Sequence, residues 1–334
     1  MTHNAGPGST GSDWPPTAAL EAIRARAAML ARIRGFFADA GVLEVETPIA
    51  SRCAGSDPAL DSLHTRWHGP GHARGLPLYL HTSPEFPMKR LLAAGTGPIY
   101  QICKVFRDGE RGRLHHPEFS LLEWYRPGWG YRDLMDEVAV LVRLVLGRPD
   151  LPCERLTYRG LFRERLGLDP WATDLPQLAD CAAAAGIGGA ASLALDQDGW
   201  LDLLLTHCLE PGLGAGRLTF LCDYPPSQAA LARLRRDQVP VAERFEVYLE
   251  GVELANGFQE LTDAAAQSAR LHADLETRRR QGRDRPPLDR SFLAALAAGL
   301  PETAGVALGL DRLLMAALGV REIDAVLAFP VERA

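Results

Sequence analysis

The sequence predicts an α+β protein in which antiparallel hairpins build a sheet and separate helices cover it. Three observations carry this. Two β-like runs, Ile99 to Phe106 (IYQICKVF) and Phe119 to Tyr125 (FSLLEWY), enclose a short polar segment. A second pair lies within Arg244 to Leu261 (RFEVYLEGVELANGFQEL) and turns at Glu250-Gly251. Helical spacing appears elsewhere: Leu20, Ile23, Ala27, Leu30 and Ile33 recur on one face of residues 17–40, and Leu310 to Leu318 also reads as a helix.

Along the chain, residues 1–16 (MTHNAGPGSTGSDWPP) read as a disordered tail rich in Gly, Pro and Ser. It lacks the basic and apolar regions of a secretory signal. The helix over 17–40 stops at Gly41, and Val42 to Ile49 (VLEVETPI) follows as a strand ending near Pro48. A second helix starts at Ser83 (N-cap), Pro84 (N1) and Glu85 (first turn). After the first hairpin, Asp133 to Leu146 is helical. A mostly helical insertion occupies about 150–215, with helices over Tyr158 to Leu166, Leu175 to Ala185 and Gly199 to Leu209. Arg217 to Cys222 (RLTFLC) resumes the β pattern, and the small-residue strand Gly305 to Gly309 leads into the last helix.

Composition bounds the function. With 334 residues and 47% apolar content, the chain can bury one large core or two smaller ones. No apolar run approaches the ~20 residues that span a bilayer. A formal charge of −6 argues against a general nucleic-acid binder. Six cysteines without a C-x-x-C pair read as the reduced thiols of a cytoplasmic protein. The run Arg278-Arg279-Arg280, with Arg283 and Arg285, reads as the solvated C-terminal end of a helix, or else as a surface for an acidic partner.

The loop of the first hairpin gathers Arg107, Asp108, Glu110, Arg111, Arg113, His115, His116 and Glu118. Guanidinium forks suit phosphate, and the acids suit Mg²⁺ or an amine; a solvated hairpin has the same pattern. Alternation places Phe119, Glu123 and Tyr125 on one side of their strand. Glu246, Glu253 and Glu260 recur through β-rich apolar runs. There they are costly to bury without a cation, unless they lie on an edge facing water.

FRDGERGRLHHPEFSLLEWY resembles motif 2 of the class II aminoacyl-tRNA synthetases, in detail the lysyl branch. The helix, strand and proline of 17–49 resemble motif 1, which forms the family's dimer interface, and Gly305 to Arg312 (GVALGLDR) resembles motif 3. Arg244 to Leu261 is similar to the lysyl enzymes almost throughout. The resemblance implies a class II antiparallel β-sheet flanked by helices over residues 17–334. Lysyl-tRNA synthetases also carry an N-terminal β-barrel that grips the anticodon. Here the motif 1 helix begins near residue 17, leaving no room for it, so the chain looks like the elongation factor P–lysine ligases. Ser83 in place of the usual Ala, and Ala307 in place of Gly, point the same way. The Ala307 methyl narrows the floor near the backbone end of the substrate, a preference worth ~1–3 kcal/mol.

The family implies ATP and Mg²⁺, with Arg107 and Arg312 as the catalytic cations. The nucleotide site would comprise Arg107, Asp108, Gly109, His115, His116, Phe119, Glu253, Leu254, Gly309 and Arg312, with Mg²⁺ on Glu246 and Glu253. The lysine or β-lysine site would comprise Ser83, Pro84, Glu85, Glu123, Tyr125, Asn256 and Glu260. Elongation factor P would be the protein acceptor, the chain a homodimer, and stable tRNA binding is not expected. Two departures stand out. Asp108-Gly109 replaces the family's Asn-Glu, so the Glu that meets the adenine amino group is missing unless Glu110 or the Gly109 backbone takes over; His116 replaces Asn. A minimal synthetase charging tRNA, and a non-catalytic binding module, are the rival readings.

Overall fold

A nine-stranded sheet forms the centre of the protein, seen in a computed structural model that describes residues 14–236 and 238–334. Residues 1–13 of the expected tail lie outside the described residues. Helix α1 (Leu20–Asp39) buries Met29, Ile33 and Phe37 and ends before Gly41, whose φ of +66° suits glycine. Leu20 and Ile23, expected on the buried stripe, are exposed. Strand β1 is only Leu43–Glu44, shorter than the predicted 42–49. Val45 still donates to the Tyr100 carbonyl, but Pro48 has no N–H to extend a ladder. A separate small sheet comprises β2 (Ala50–Ser51), β3 (His64–Trp67) and β4 (Leu76–Leu80) in the order β2-β4-β3.

Helix α2 (Glu85–Ala93) has Pro84 as its N-cap, one residue later than expected. Ser83 Oγ still accepts the Glu85 N–H, at 3.0 Å. The first hairpin is β5 (Ile99–Phe106) and β6 (Glu118–Pro127), paired from Ile99↔Tyr125 to Phe106↔Glu118. Helix α3 (Tyr131–Leu146) follows. The segment expected to be mostly helical opens with β7 (Cys153–Thr157), then holds α4 (Tyr158–Leu166), α5 (Leu175–Ala184) and α6 (Gln197–Leu204), which runs on as a π turn over Leu205–Leu209. The remaining elements are β8 (Leu218–Tyr224), β9 (Leu234–Arg235), β10 (Val241–Leu249), β11 (Val252–Gln259), α7 (Ala264–Arg280), α8 (Arg290–Gly299), β12 (Thr303–Gly309) and α9 (Leu310–Leu318).

The strand order is β1-β5-β6-β12-β11-β10-β8-β7, with β9 on β10; β1 is parallel to β5 and β7 to β8, and the other pairs are antiparallel. The β10–β11 turn has Glu250 at φ +50° and Gly251 at φ +72°, the left-handed pair a two-residue hairpin needs. Alternate residues on one face (Leu122, Trp124, Phe245, Val247, Val306 and Leu308) join α1, α3 and α9 in the main core. The insertion makes its own core, with Tyr158, Phe162, Trp200 and Leu204 packed on Leu221, Tyr224 and Tyr248. The middle of the other sheet face carries Glu123, Asn256 and Glu246.

The arginine run corrects one expectation. Arg279 and Arg280 are exposed, but Arg278 is 3% exposed. Its guanidinium donates to the Asp57, Leu60 and Asp284 carbonyls and to Asp61, and so pins the loop below β2 to the end of α7. All six thiols are free, and no helix among the described residues is long and apolar enough to cross a membrane.

Candidate active site

Sheet register assembles the site. Glu123 on β6 faces Ala307 on β12, Ala307 faces Asn256 on β11, and Asn256 faces Glu246 on β10. The next row is Tyr125, Gly305, Phe258 and Arg244. With neighbouring strands ~4.8 Å apart, Glu123 and Glu246 lie about 14 Å apart across the sheet. Both rows line a cavity of about 1460 Å³, roofed by the 107–119 loop, α2 and the insertion.

At one end the chemistry suits an ammonium group. Glu123 is 2% exposed and accepts hydrogen bonds from Ser83 Oγ (2.7 Å) and the Tyr125 hydroxyl (2.6 Å). Burial, and then the Glu85 charge, push its carboxyl up to about 7, against the pull of those hydroxyls. Glu260 is pushed up to about 8, again mainly by burial. Between these acids sits Lys89, 1% exposed, with Nζ 2.5 Å from both Glu85 Oε1 and Glu260 Oε2. Two carboxylates outweigh the cost of burying its ammonium and hold it charged.

At the other end the chemistry suits phosphates. Arg312 donates to the Glu253 carbonyl (2.9 Å) and carboxylate (3.1 Å), to the Leu114 carbonyl and to His115 Nε2 (2.9 Å). His115 therefore accepts as a neutral ring, and burial followed by the Arg312 charge holds its pKa down. Asp311, 1% exposed, fixes this corner: it accepts the Ser120 N–H at 2.7 Å and an Arg26 bond from α1. Arg107 lies over the Phe119 ring at 5.0 Å, and its buried Nε has no partner, so it is poised for an anion in the cavity. Glu253 is pushed up by burial and by Glu246, and Glu210 up to about 7 by burial and by both of these acids. Glu246 already accepts from Arg244 and from the Tyr248 hydroxyl, each at 2.5 Å, so a hard divalent cation would share its oxygens with them. Among the described residues, no group of three or more such side chains forms a metal site by itself.

Of the expected site residues, Ser83, Glu85, Arg107, His115, Phe119, Glu123, Tyr125, Glu246, Glu253, Leu254, Asn256, Glu260, Gly309 and Arg312 line this cavity. Pro84, Asp108 and Gly109 are not on its wall. Gly109, at φ +76°, turns the loop and Asp108 accepts its N–H, so Glu110 takes the wall position 3.7 Å from Arg107. His116 touches the cavity, but both of its ring nitrogens are committed. Nδ1 is 2.5 Å from the Glu118 carbonyl, and Nε2 accepts the Val331 N–H at 2.8 Å, tying the C-terminal segment to the loop. Sequence reasoning missed Lys89, Glu210 and Arg244. Only Lys89 left a signal, its i,i+4 spacing from Glu85.

The two glycines of the motif 3 strand differ. A Cβ at Gly305 would lie 2.3 Å from Tyr125 Cε1 and 2.4 Å from Glu260 Oε1, whereas at Gly309 the nearest atom is 3.8 Å away. Gly305→Ala is expected to cost about 1–3 kcal/mol in denaturant unfolding and to displace Tyr125 and Glu260; Gly309→Ala should fold like the parent. Equal stability of the two variants would refute this packing argument.

The class II tRNA synthetase model (D, K and N) matches residues 13–333. The elongation factor P–(R)-β-lysine ligase of Salmonella dublin is 49% identical over 321 residues, covering 96% of this chain and 98% of the relative. The proteins of the same name from Salmonella paratyphi B and Salmonella heidelberg match to the same extent. With this site on this sheet, and with that coverage, the chain belongs to the class II tRNA synthetases and, within them, to the family of the elongation factor P–(R)-β-lysine ligases.

Proposed function

We propose that the protein activates (R)-β-lysine with ATP and transfers it to a lysine side chain of elongation factor P. The observation that carries this is the charge layout of one cavity, with buried acids under hydroxyl control at one end and Arg107 and Arg312 at the other. Only a molecule with an ammonium group at one end and a carboxylate near phosphates at the other uses both ends. The substrate carboxylate attacks the α-phosphorus, the bond to the β-phosphate oxygen breaks, and pyrophosphate leaves. The amine nitrogen of the acceptor lysine then attacks the mixed-anhydride carbonyl, AMP leaves with the bond electrons, and the amine loses a proton.

Ser83, Glu85, Glu123, Tyr125, Asn256 and Glu260 bind and orient the amino acid; Arg107 and Arg312 hold the phosphates, with Phe119 under the adenine and Glu110 at its edge. A Mg²⁺ on Glu246 and Glu253, with Glu210 beside them, would neutralise charge on the departing pyrophosphate. Ala307 lies between Glu123 and Asn256, where its methyl narrows the floor beside the substrate's amino end. The exposed Leu20, Ile23, Leu43 and Ile49 on the motif 1 segment support a homodimer, and the six free thiols a cytoplasmic location.

The acids give the reaction a pH signature. Burial pushes the Glu123 and Glu260 carboxyls up, to about 7 and about 8, and an incoming ammonium binds their ionised forms. Binding therefore expels protons, and affinity for (R)-β-lysine should rise at least about tenfold from pH 6 to 8. The same raised pKa values favour the empty fold at low pH, and that stability is lost as pH climbs from the ordinary carboxylate range through about 8. Calorimetric titration across this range checks both signs; a flat affinity profile would mean that neither acid receives the ammonium.

The functional reading is tested by incubating the protein with ATP, Mg²⁺ and (R)-β-lysine and offering elongation factor P and bulk tRNA separately. A mass gain of one lysyl unit on the protein, with uncharged tRNA, is the expected result. Charged tRNA with unmodified protein would overturn it.

A further inference from the structure

The β3–β4 hairpin beside the cavity carries charge of one sign only. From Ser62 to Leu80 there is no Asp or Glu, yet the segment contains Arg66, Arg74, His64, His68 and His72, in a protein of net charge −6. Every residue of β3 is exposed, and Trp67 stands out from it at 46% exposure, its ring 5.5 Å from that of His72. Many arginines elsewhere are tied into ion pairs, as Arg26, Arg111, Arg126 and Arg278 are. Among the described residues, neither Arg66 nor Arg74 has a side-chain hydrogen bond or ion pair. β3 is also the outer strand of its sheet, so the backbone groups on its free edge face outward.

This hairpin is anchored to the reaction site. β4 runs directly into His81, Thr82 and Ser83 on the cavity wall, and Ala50 and Ser51 of β2 line the same wall. The His81 N–H bonds the Ile49 carbonyl at 2.9 Å, and its carbonyl accepts the Phe106 N–H of β5 at 3.0 Å.

We propose that this hairpin is a docking arm for an acidic surface of the protein acceptor and delivers the acceptor's lysine to the cavity mouth. The inference rests on the reading that the acceptor is a protein. Two unpaired arginines, a flanking Trp and an open strand edge suit a folded acidic polypeptide, which can add backbone pairing to charge contacts. They are too few for a nucleic acid, whose binding typically neutralises ~6–10 phosphates.

The test is the charge-reversed double variant Arg66→Glu/Arg74→Glu, both positions being exposed. Pyrophosphate exchange driven by (R)-β-lysine needs no acceptor and should stay within about twofold of the parent. The KM for elongation factor P should rise about tenfold or more, equivalent to about 1.4 kcal/mol of lost attraction, and should lose most of the parent's salt dependence. Transfer as efficient as the parent's would overturn the arm, as would equal losses in exchange and transfer, or loss of RNA binding with acceptor KM unchanged. A parent that exchanges pyrophosphate but modifies no acceptor would instead sink the functional reading itself, before any variant is compared.

Discussion

Lys89→Met is expected to destabilise the fold by about 3–5 kcal/mol, the cost of removing one partner from a buried ion pair. Methionine keeps the length of the side chain, so little of this is a packing loss. What goes is the buried cation that pairs with both Glu85 and Glu260. Glu123 and Glu260 must then take up protons or repel their neighbours. The deficit should therefore shrink at pH 5, where protonation relieves them, and be greatest near pH 8. Denaturant unfolding of parent and variant at both pH values checks this. A deficit independent of pH would show that Lys89 acts through its methylene packing alone.

Lys89 also shows where sequence reasoning reaches its limit. In FPMKRLL a lysine on a helix reads as solvated, and its burial depends on Glu260 at the far end of β11. Local signals were read well for a physical reason. The alternation in β5 and β6, the Glu250-Gly251 turn and the β12–α9 junction are each set by residues a few positions apart. The Glu123, Ala307, Asn256 and Glu246 row is fixed by pairings between distant strands, which no local pattern encodes. The same limit explains Arg278, whose partners lie on the loop below β2, and His116, which is claimed by the C-terminal segment. The short β1 shows the converse: β propensity in VLEVETPI had no ladder to join beyond Val45.

Arg312→Ala is expected to slow adenylate formation by about 10²–10³-fold with little change in unfolding free energy. Preorganised charge placed where negative charge develops contributes on that scale, about 2.7–4 kcal/mol. Arg312 fits the description because the protein, not the nucleotide, sets its orientation: Glu253 on β11 and Leu114 and His115 on the loop hold it from two sides. It is nevertheless partly exposed toward the cavity, with side-chain accessibility of 20%, so a guanidinium edge remains for phosphate. Removal has a second consequence. Glu253 loses the cation that lowers its pKa, so its carboxyl moves further up and becomes a poorer metal ligand. Raising Mg²⁺ should therefore recover part of the rate in the alanine variant and little in the parent. Arg312→Lys should restore charge without the fork, and fall between the two. Pyrophosphate-exchange kinetics separate these effects: the loss should appear in kcat, while the KM for (R)-β-lysine, whose proposed ammonium site lies across the sheet, should change little. An alanine variant with kcat within about threefold of the parent would leave Arg107 as the cation that matters and make Arg312 a strut for the loop.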